Sequence, residues 1–148
     1  MRVAGTAALD APAAQVLAVL RDPRRFVAAL PNVDELEFEL GEDGSFRARI
    51  RPAIALGELP IETVWRPRAG GGEAAGSEGF AYAMEGGTGE HRVALEATVA
   101  LREHAGGSEA EWSVEFEVSG TMRSAGQRTI AAIVGAQAEA VLQAAASA

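Results

Sequence analysis

The sequence predicts an α+β fold: a curved antiparallel sheet of about seven strands wrapped around a long C-terminal helix, with two short helices between the first and second strands. Three observations predict it. From residue 35 onward, six segments carry apolar residues at every second position, the period of a half-buried strand. Ahead of them lie two short apolar-periodic runs, each opened by an aspartate and a nearby proline. Residues 119–148, SGTMRSAGQRTIAAIVGAQAEAVLQAAASA, then form one long helical run. Consecutive antiparallel strands curl because sheets twist. Their shared apolar face needs a cover, and only the last helix is long enough to supply one.

Residues 2–9, RVAGTAAL, read as the first strand. Asp10 then stands as the expected N-cap of a helix carrying Val16, Leu17, Val19 and Leu20, with Pro12 in its first turn. That helix stops at Asp22–Pro23, because proline disfavours helical backbone in the residue before it. Asp22 caps a second short helix bearing Phe26, Val27 and Leu30, which Pro31–Asn32 ends. DELEFEL and FRARIR follow, joined by GEDGS. With Leu40 opposite Phe46, an unbroken ladder places Glu39 against Arg47, Glu37 against Arg49 and Glu35 against Arg51. Residues 59–68 make the next strand, with Ile61, Thr63 and Trp65 on one face and prolines near its ends. AGGGEAAGSE is a connecting loop. FAYAMEG aligns Phe80, Tyr82 and Met84. Residues 91–102 align Val93, Leu95, Ala97, Val99 and Leu101. After HAGGSE, the last strand aligns Trp112, Val114, Phe116 and Val118.

The last helix is expected to be capped by Thr121, with Met122, Gly126, Ile130, Ile133, Gln137 and Val141 on one face. That face is thin for a helix that only seals a core. Ala125 and Gly126 let its start approach the sheet closely. Its other end is expected to leave room beneath it.

Composition narrows the function. A chain of 148 residues, 48% hydrophobic and 23% charged, fits one globular domain. A net charge of −8 disfavours nucleic acid and simple docking to anionic lipid. With no cysteine there is no thiolate chemistry and no disulfide. No run of about 20 consecutive apolar residues exists, so no membrane-spanning segment is expected. The N-terminus has no apolar core of signal-peptide length, and the expected location is cytoplasmic. His91 and His104 lack the spacing of a metal pair. Gly70, Gly71 and Gly72 join two strands rather than cradling phosphate. Glu62 and Glu96 fall on outer faces. No catalytic residue, metal site or cofactor is expected. Trp65 and Tyr82 are the candidate polar handles inside the domain, each an apolar body with one donor.

The opening stretch DAPAAQVLAVLRDPRRFVAALPNVDELE, with Asp10, Pro12, Val16, Leu20, Asp22, Pro23 and Pro31 in place, resembles the helix-grip or START-like (SRPBCC) superfamily. So does the order of elements. That superfamily also includes polyketide cyclases, the major birch-pollen allergen family and plant hormone receptors. The resemblance spans essentially the whole chain, so residues 1–148 read as a single START-like domain. Within the superfamily, SGTMRSAGQRTI, with Gly120, Gly126, Gln127 and Arg128, is most similar to the carbon monoxide dehydrogenase G-subunit family. Those are small accessory factors associated with molybdenum hydroxylases. Asn32 departs from a common glycine, and Val33 from a frequent cysteine.

The resemblance implies a hollow between sheet and long helix that takes an apolar small molecule, lipid-like or quinone-like. Its expected lining is Phe26, Leu30, Phe38, Ile50, Trp65, Tyr82, Met84, Leu95, Ile130 and Val134. Phe26 and Leu30 stand where a lid belongs. Non-enzymatic binding or carriage is the first reading. An accessory protein acting through contact with a molybdenum hydroxylase is the second. A polyketide cyclase-like enzyme is the third, and it needs converging polar groups that the inner faces offer sparsely.

Overall fold

Seven strands and three helices build two layers in the computed structural model, which describes residues 1–30, 33–50, 61–68, 78–88, 91–119 and 127–147. The elements are β1 (Arg2–Leu9), α1 (Ala13–Arg21), α2 (Pro23–Ala29), β2 (Val33–Leu40), β3 (Phe46–Ile50), β4 (Ile61–Arg68), β5 (Glu78–Thr88), β6 (His91–His104), β7 (Gly107–Ser119) and α3 (Gln127–Ser147). They form one antiparallel sheet in the order β1-β7-β6-β5-β4-β3-β2. Every neighbour but one is a sequence neighbour. The exception is β1, which crosses to pair with β7, Arg2 opposite Glu115 through Leu9 opposite Ser108. The helices cover one face, and the core lies between the layers.

Alternation decides which face is which. Along β7, Ala110, Trp112, Val114 and Phe116 are buried, while Glu111, Glu115 and Glu117 are exposed. The same parity buries Phe46 and Ala48 on β3, Thr63 and Trp65 on β4, Tyr82 and Met84 on β5, and Val99 and Leu101 on β6. Against this inner face pack Val16, Leu17, Val19 and Leu20 of α1, Phe26 and Val27 of α2, and Ile130, Val141, Leu142 and Ala145 of α3.

The helix starts show where local signals hold and where they give way. Asp22 caps α2 as its sequence predicts, accepting from the Arg24 N–H at 3.1 Å with Pro23 in the first turn. Asp10 does not cap α1. Pro12 occupies that position and makes no side-chain cap bond. The Ala13 N–H donates instead to Glu103 Oε1 at 2.8 Å, from the far end of β6. A carboxylate there also suits the positive end of the helix. Ser108 Oγ donates to the Ala11 carbonyl at 2.7 Å, so the β6–β7 hairpin end holds both sides of the approach to α1.

Two strand expectations change. The β2–β3 ladder pairs Leu40 with Phe46 and Glu39 with Arg47, as an unbroken register requires. It then shifts, placing Asp34 rather than Glu37 opposite Arg49. Such an irregularity puts extra residues into one strand and breaks a constant residue sum. On its other side Arg49 faces Glu62 of β4, and the two side chains meet at 2.7 Å. Arg51, the partner expected for Glu35, lies outside the described residues, as do Thr121, Met122, Ala125 and Gly126. The second change lengthens the β6–β7 hairpin. HAGGSE is not a six-residue loop: the ladder runs to His104 opposite Gly107. Only Ala105 (φ 47°) and Gly106 (φ 85°) form the turn. Two positive φ angles are the signature of the tight turn whose twist matches that of the strands.

The long helix also qualifies the membrane expectation. By length and composition Arg128–Ser147 is apolar enough to cross a bilayer, although Thr129, Gln137, Glu139 and Gln143 interrupt it. Alanine supplies much of that apolarity, and here the helix covers the sheet with Ile130, Val141, Leu142 and Ala145 in the core.

Candidate functional site

The two layers do not meet everywhere. Between the inner sheet face and the middle of α3 lies a cavity of about 130 Å³. Its floor is Trp65 of β4, Phe80 and Tyr82 of β5, Leu95, Ala97 and Val99 of β6, and Trp112 and Val114 of β7. Val134, Gln137, Ala138, Val141 and Leu142 of α3 form the roof. Leu20, Phe26 and Leu30 close one side from the α1–α2 segment.

The space exists because the roof is built of small or short side chains where the sheet is concave. Val134, Ala138 and Leu142 recur every four residues, and Gln137 and Val141 do the same one row over. Gly135 of α3 faces Val3 and the Trp112 ring: a Cβ there would sit 3.5 Å from Val3 Cγ1 and 3.7 Å from Cη2, ordinary contact distances. From β1, Gly5 approaches the same ring, and a Cβ on it would come within 2.7 Å of Cζ2. The tight approach to the indole is therefore from β1, within the sheet.

Aromatic packing forms the side closed by the α1–α2 segment. The Phe26 ring of α2 lies 4.4 Å from that of Tyr82, 5.4 Å from Trp65 and 6.0 Å from Phe46. Phe80 packs edge-on to Tyr82 at 4.6 Å. Such pairs add about 0.5–1.5 kcal/mol beyond their buried area. Tyr82 Oη donates to the Leu20 carbonyl at 3.1 Å, and Arg21 donates to the Gly79 carbonyl at 3.3 Å. The elbow between α1 and α2 is therefore tied to β5. Burial pushes the Tyr82 phenol well above its ordinary value of 10, and the Asp22 carboxylate adds in the same direction.

Of the ten residues the sequence nominates, Phe26, Leu30, Trp65, Tyr82, Leu95 and Val134 meet in this wall. Met84 and Ile130 are buried in the core outside it, and the side chains of Phe38 and Ile50 lie outside the described residues. The polar handles differ from expectation. Trp65 Nε1 donates to Thr63 Oγ1 at 2.8 Å, and that hydroxyl donates to the Ala48 carbonyl at 2.6 Å. The Trp65 and Tyr82 donors are thus engaged within the protein. Trp112, read in the sequence only as one of an aligned apolar set, is the ring whose buried Nε1 has no hydrogen-bond partner. Gln137, read as part of the helix face, is one of the roof residues. Helical spacing from Val134 would have found Ala138 and Leu142.

Outside the cavity, Glu62 and Glu96 face solvent, paired with Arg49 at 2.7 Å and Arg68 at 3.9 Å. Among the described residues, no group of three or more His, Asp or Glu side chains is placed to hold a metal ion. A larger, open hollow of about 530 Å³ crosses the charged outer face beside Arg2, Arg68, Glu96 and Glu115. The smaller cavity is the better candidate, because it is apolar and lies between the layers.

Solved structures share this architecture. A conserved protein from Geobacillus kaustophilus is similar with a TM-score of 0.82, at 17% identity, covering 99% of this chain and 93% of its own. An aromatase/cyclase from a Streptomyces species is similar with a TM-score of 0.73, at 16% identity, over 99% and 92%. A START superfamily protein from Mycobacterium smegmatis follows at 0.67 and 12% identity, over 99% and 94%. At these identities the likeness establishes the START-like helix-grip fold. No curated protein sequence matches the chain significantly. The model of one family, the carbon monoxide dehydrogenase G-subunit (CoxG), matches residues 5–148, and to that family the chain belongs.

Proposed function

We propose that this protein binds and carries a hydrophobic small molecule, lipid-like or quinone-like, in the cavity beneath α3, as an accessory factor of the CoxG type. The observation that carries this reading is the cavity wall: sheet, lid and roof converge on one space lined almost wholly by aliphatic and aromatic side chains. Cavities of that kind stay dry and accept apolar guests. Family membership and fold support a ligand-binding or accessory role.

Size refines the reading. A cavity of roughly 150 Å³ holds one benzene ring, and this one measures about 130 Å³. A single ring or a short length of alkyl chain fits as the domain stands. A longer molecule enters by displacing Phe26 and Leu30, because the α1–α2 segment is the side of the wall not made of sheet or α3. Elbow bonds from Tyr82 and Arg21 then act as the hinge.

Native mass spectrometry of the protein purified from its own host tests the reading. Retention of one lipid- or quinone-sized apolar mass supports it. An empty protein that instead co-purifies with a large molybdenum hydroxylase would favour action through protein contact. For that second reading the relevant observation is the outer face, where Glu111, Glu115 and Glu117 are exposed on β7. Turnover of an aromatic polyketide would favour the enzyme reading instead.

A further inference from the structure

The cavity wall carries no charge of its own. Among the described residues, every one that lines it is uncharged. The Trp65 and Tyr82 donors are engaged by Thr63 and by the Leu20 carbonyl. An ionised group placed among these side chains would lack a partner, so any charge on a guest belongs outside the cavity.

Positive charge gathers just outside, on one side. Arg21, Arg24 and Arg25 lie together at the α1–α2 elbow, all exposed, in a chain whose net charge is −8. Asp22, the carboxylate of the elbow, is turned to the start of α2, where it accepts from the Arg24 N–H. Arg21 follows Leu20, and its Nη2 donates to the carbonyl of Gly79, which precedes Phe80. Leu20 and Phe80 both line the cavity. The Arg21 guanidinium therefore crosses the seam where the wall passes from the elbow to the sheet. Arg25 precedes Phe26, the ring that α2 contributes to the same wall. Leu30 and Phe80 are half-buried, so this part of the wall reaches solvent. Pairing also sets these arginines apart from those of the outer sheet face. Arg49, Arg66, Arg68 and Arg102 each meet a glutamate. Among the described residues, Arg21 and Arg25 form no ion pair.

We propose that the ligand is an apolar anion: its ring or alkyl part fills the cavity, and its carboxylate or phosphate stays at the rim, held by Arg21 and Arg25. A guanidinium suits either group, because its planar fork presents paired N–H donors. The proposal rests on the cavity being a binding site. It narrows the lipid-like class to acids and phosphates, over neutral quinone-like guests.

Two single-ring probes separate the rim from the cavity: phenylpropanoate, whose short arm ends in a carboxylate, and phenylpropanol, its neutral counterpart. Each is titrated by NMR into the full chain, into Arg25→Gln, and into the double variant Arg21→Gln with Arg25→Gln. The wild type is expected to bind the carboxylate about fivefold more tightly than the alcohol, the scale of exposed ion pairs. The double variant should bring the carboxylate down to the level of the alcohol and leave the alcohol unchanged. Arg25→Gln, which keeps the Arg21 tie to β5, should show part of the same loss. Added salt should weaken the carboxylate alone, because exposed charges are screened. Equal affinities in the wild type, or equal losses of both probes in the variants, overturn the rim site while leaving apolar binding intact. So does a double variant that loses binding to phosphatidylglycerol vesicles but keeps phenylpropanoate, since the arginines would then serve a membrane surface. Failure of the wild type to bind either probe overturns cavity and rim together.

Discussion

Tyr82 shows how one side chain joins fold and site. Its ring packs on Phe26 and Phe80, its hydroxyl holds the Leu20 carbonyl, and its face forms part of the cavity wall. Because burial raises its pKa above the ordinary 10, the folded state favours the neutral phenol. That preference stabilises the fold in full below pH 10 and is lost as pH rises beyond it. The chain makes the effect easy to isolate: Tyr82 is the single tyrosine, and all thirteen basic residues counted as Lys or Arg are arginine. Denaturant unfolding should show stability falling above pH 10 in the wild type. Tyr82→Phe should remove most of that fall while costing about 1 kcal/mol at neutral pH through the lost hydrogen bond. A wild-type profile that stays flat up to pH 11 would contradict the assignment (phenolate absorbance reads the same titration directly).

Elements were legible in the sequence wherever a period or a local cap sets them. The alternation in Trp112, Val114 and Phe116, and the Asp22–Pro23 start of α2, needed nothing beyond neighbouring residues. What could not be read is non-local. The cap of α1 comes from Glu103, ninety residues away. The shift between β2 and β3 breaks a register that charge pairing alone would have kept continuous. Six of the ten nominated wall residues converge because strand parity and helix spacing point them inward, but neither signal says where a packed interior leaves a gap. Both the distant cap and the tight hairpin turn can be checked by substitution. Glu103→Ala should lower stability by about 1 kcal/mol, the usual worth of a helix cap, despite its exposed position; an unchanged unfolding midpoint would dismiss Glu103 as a cap. Ala105 holds a left-handed backbone that costs a β-carbon-bearing residue about 1 kcal/mol. Ala105→Asn should therefore raise the unfolding midpoint, with an asparagine–glycine pair in a turn that favours it.

At the level of the molecule, the cavity is a stability defect retained in the fold. Ala138 looks into it from α3, and leucine is nearly as good a helix former as alanine. Ala138→Leu should fill part of the space, raising thermal stability by about 0.5–2 kcal/mol while weakening any apolar guest. A variant that is more stable yet binds as well as wild type would place the guest elsewhere. The strand order has a further consequence. β1 is made first, but its sheet neighbour is β7, and α3 comes later still. On the ribosome, then, the earliest segment waits beside an unfinished partner. Loop closure over about a hundred residues delays its docking further. The chamber comes into being only once α3 has emerged, so a guest of the proposed kind could enter only a completed polypeptide, never a nascent one.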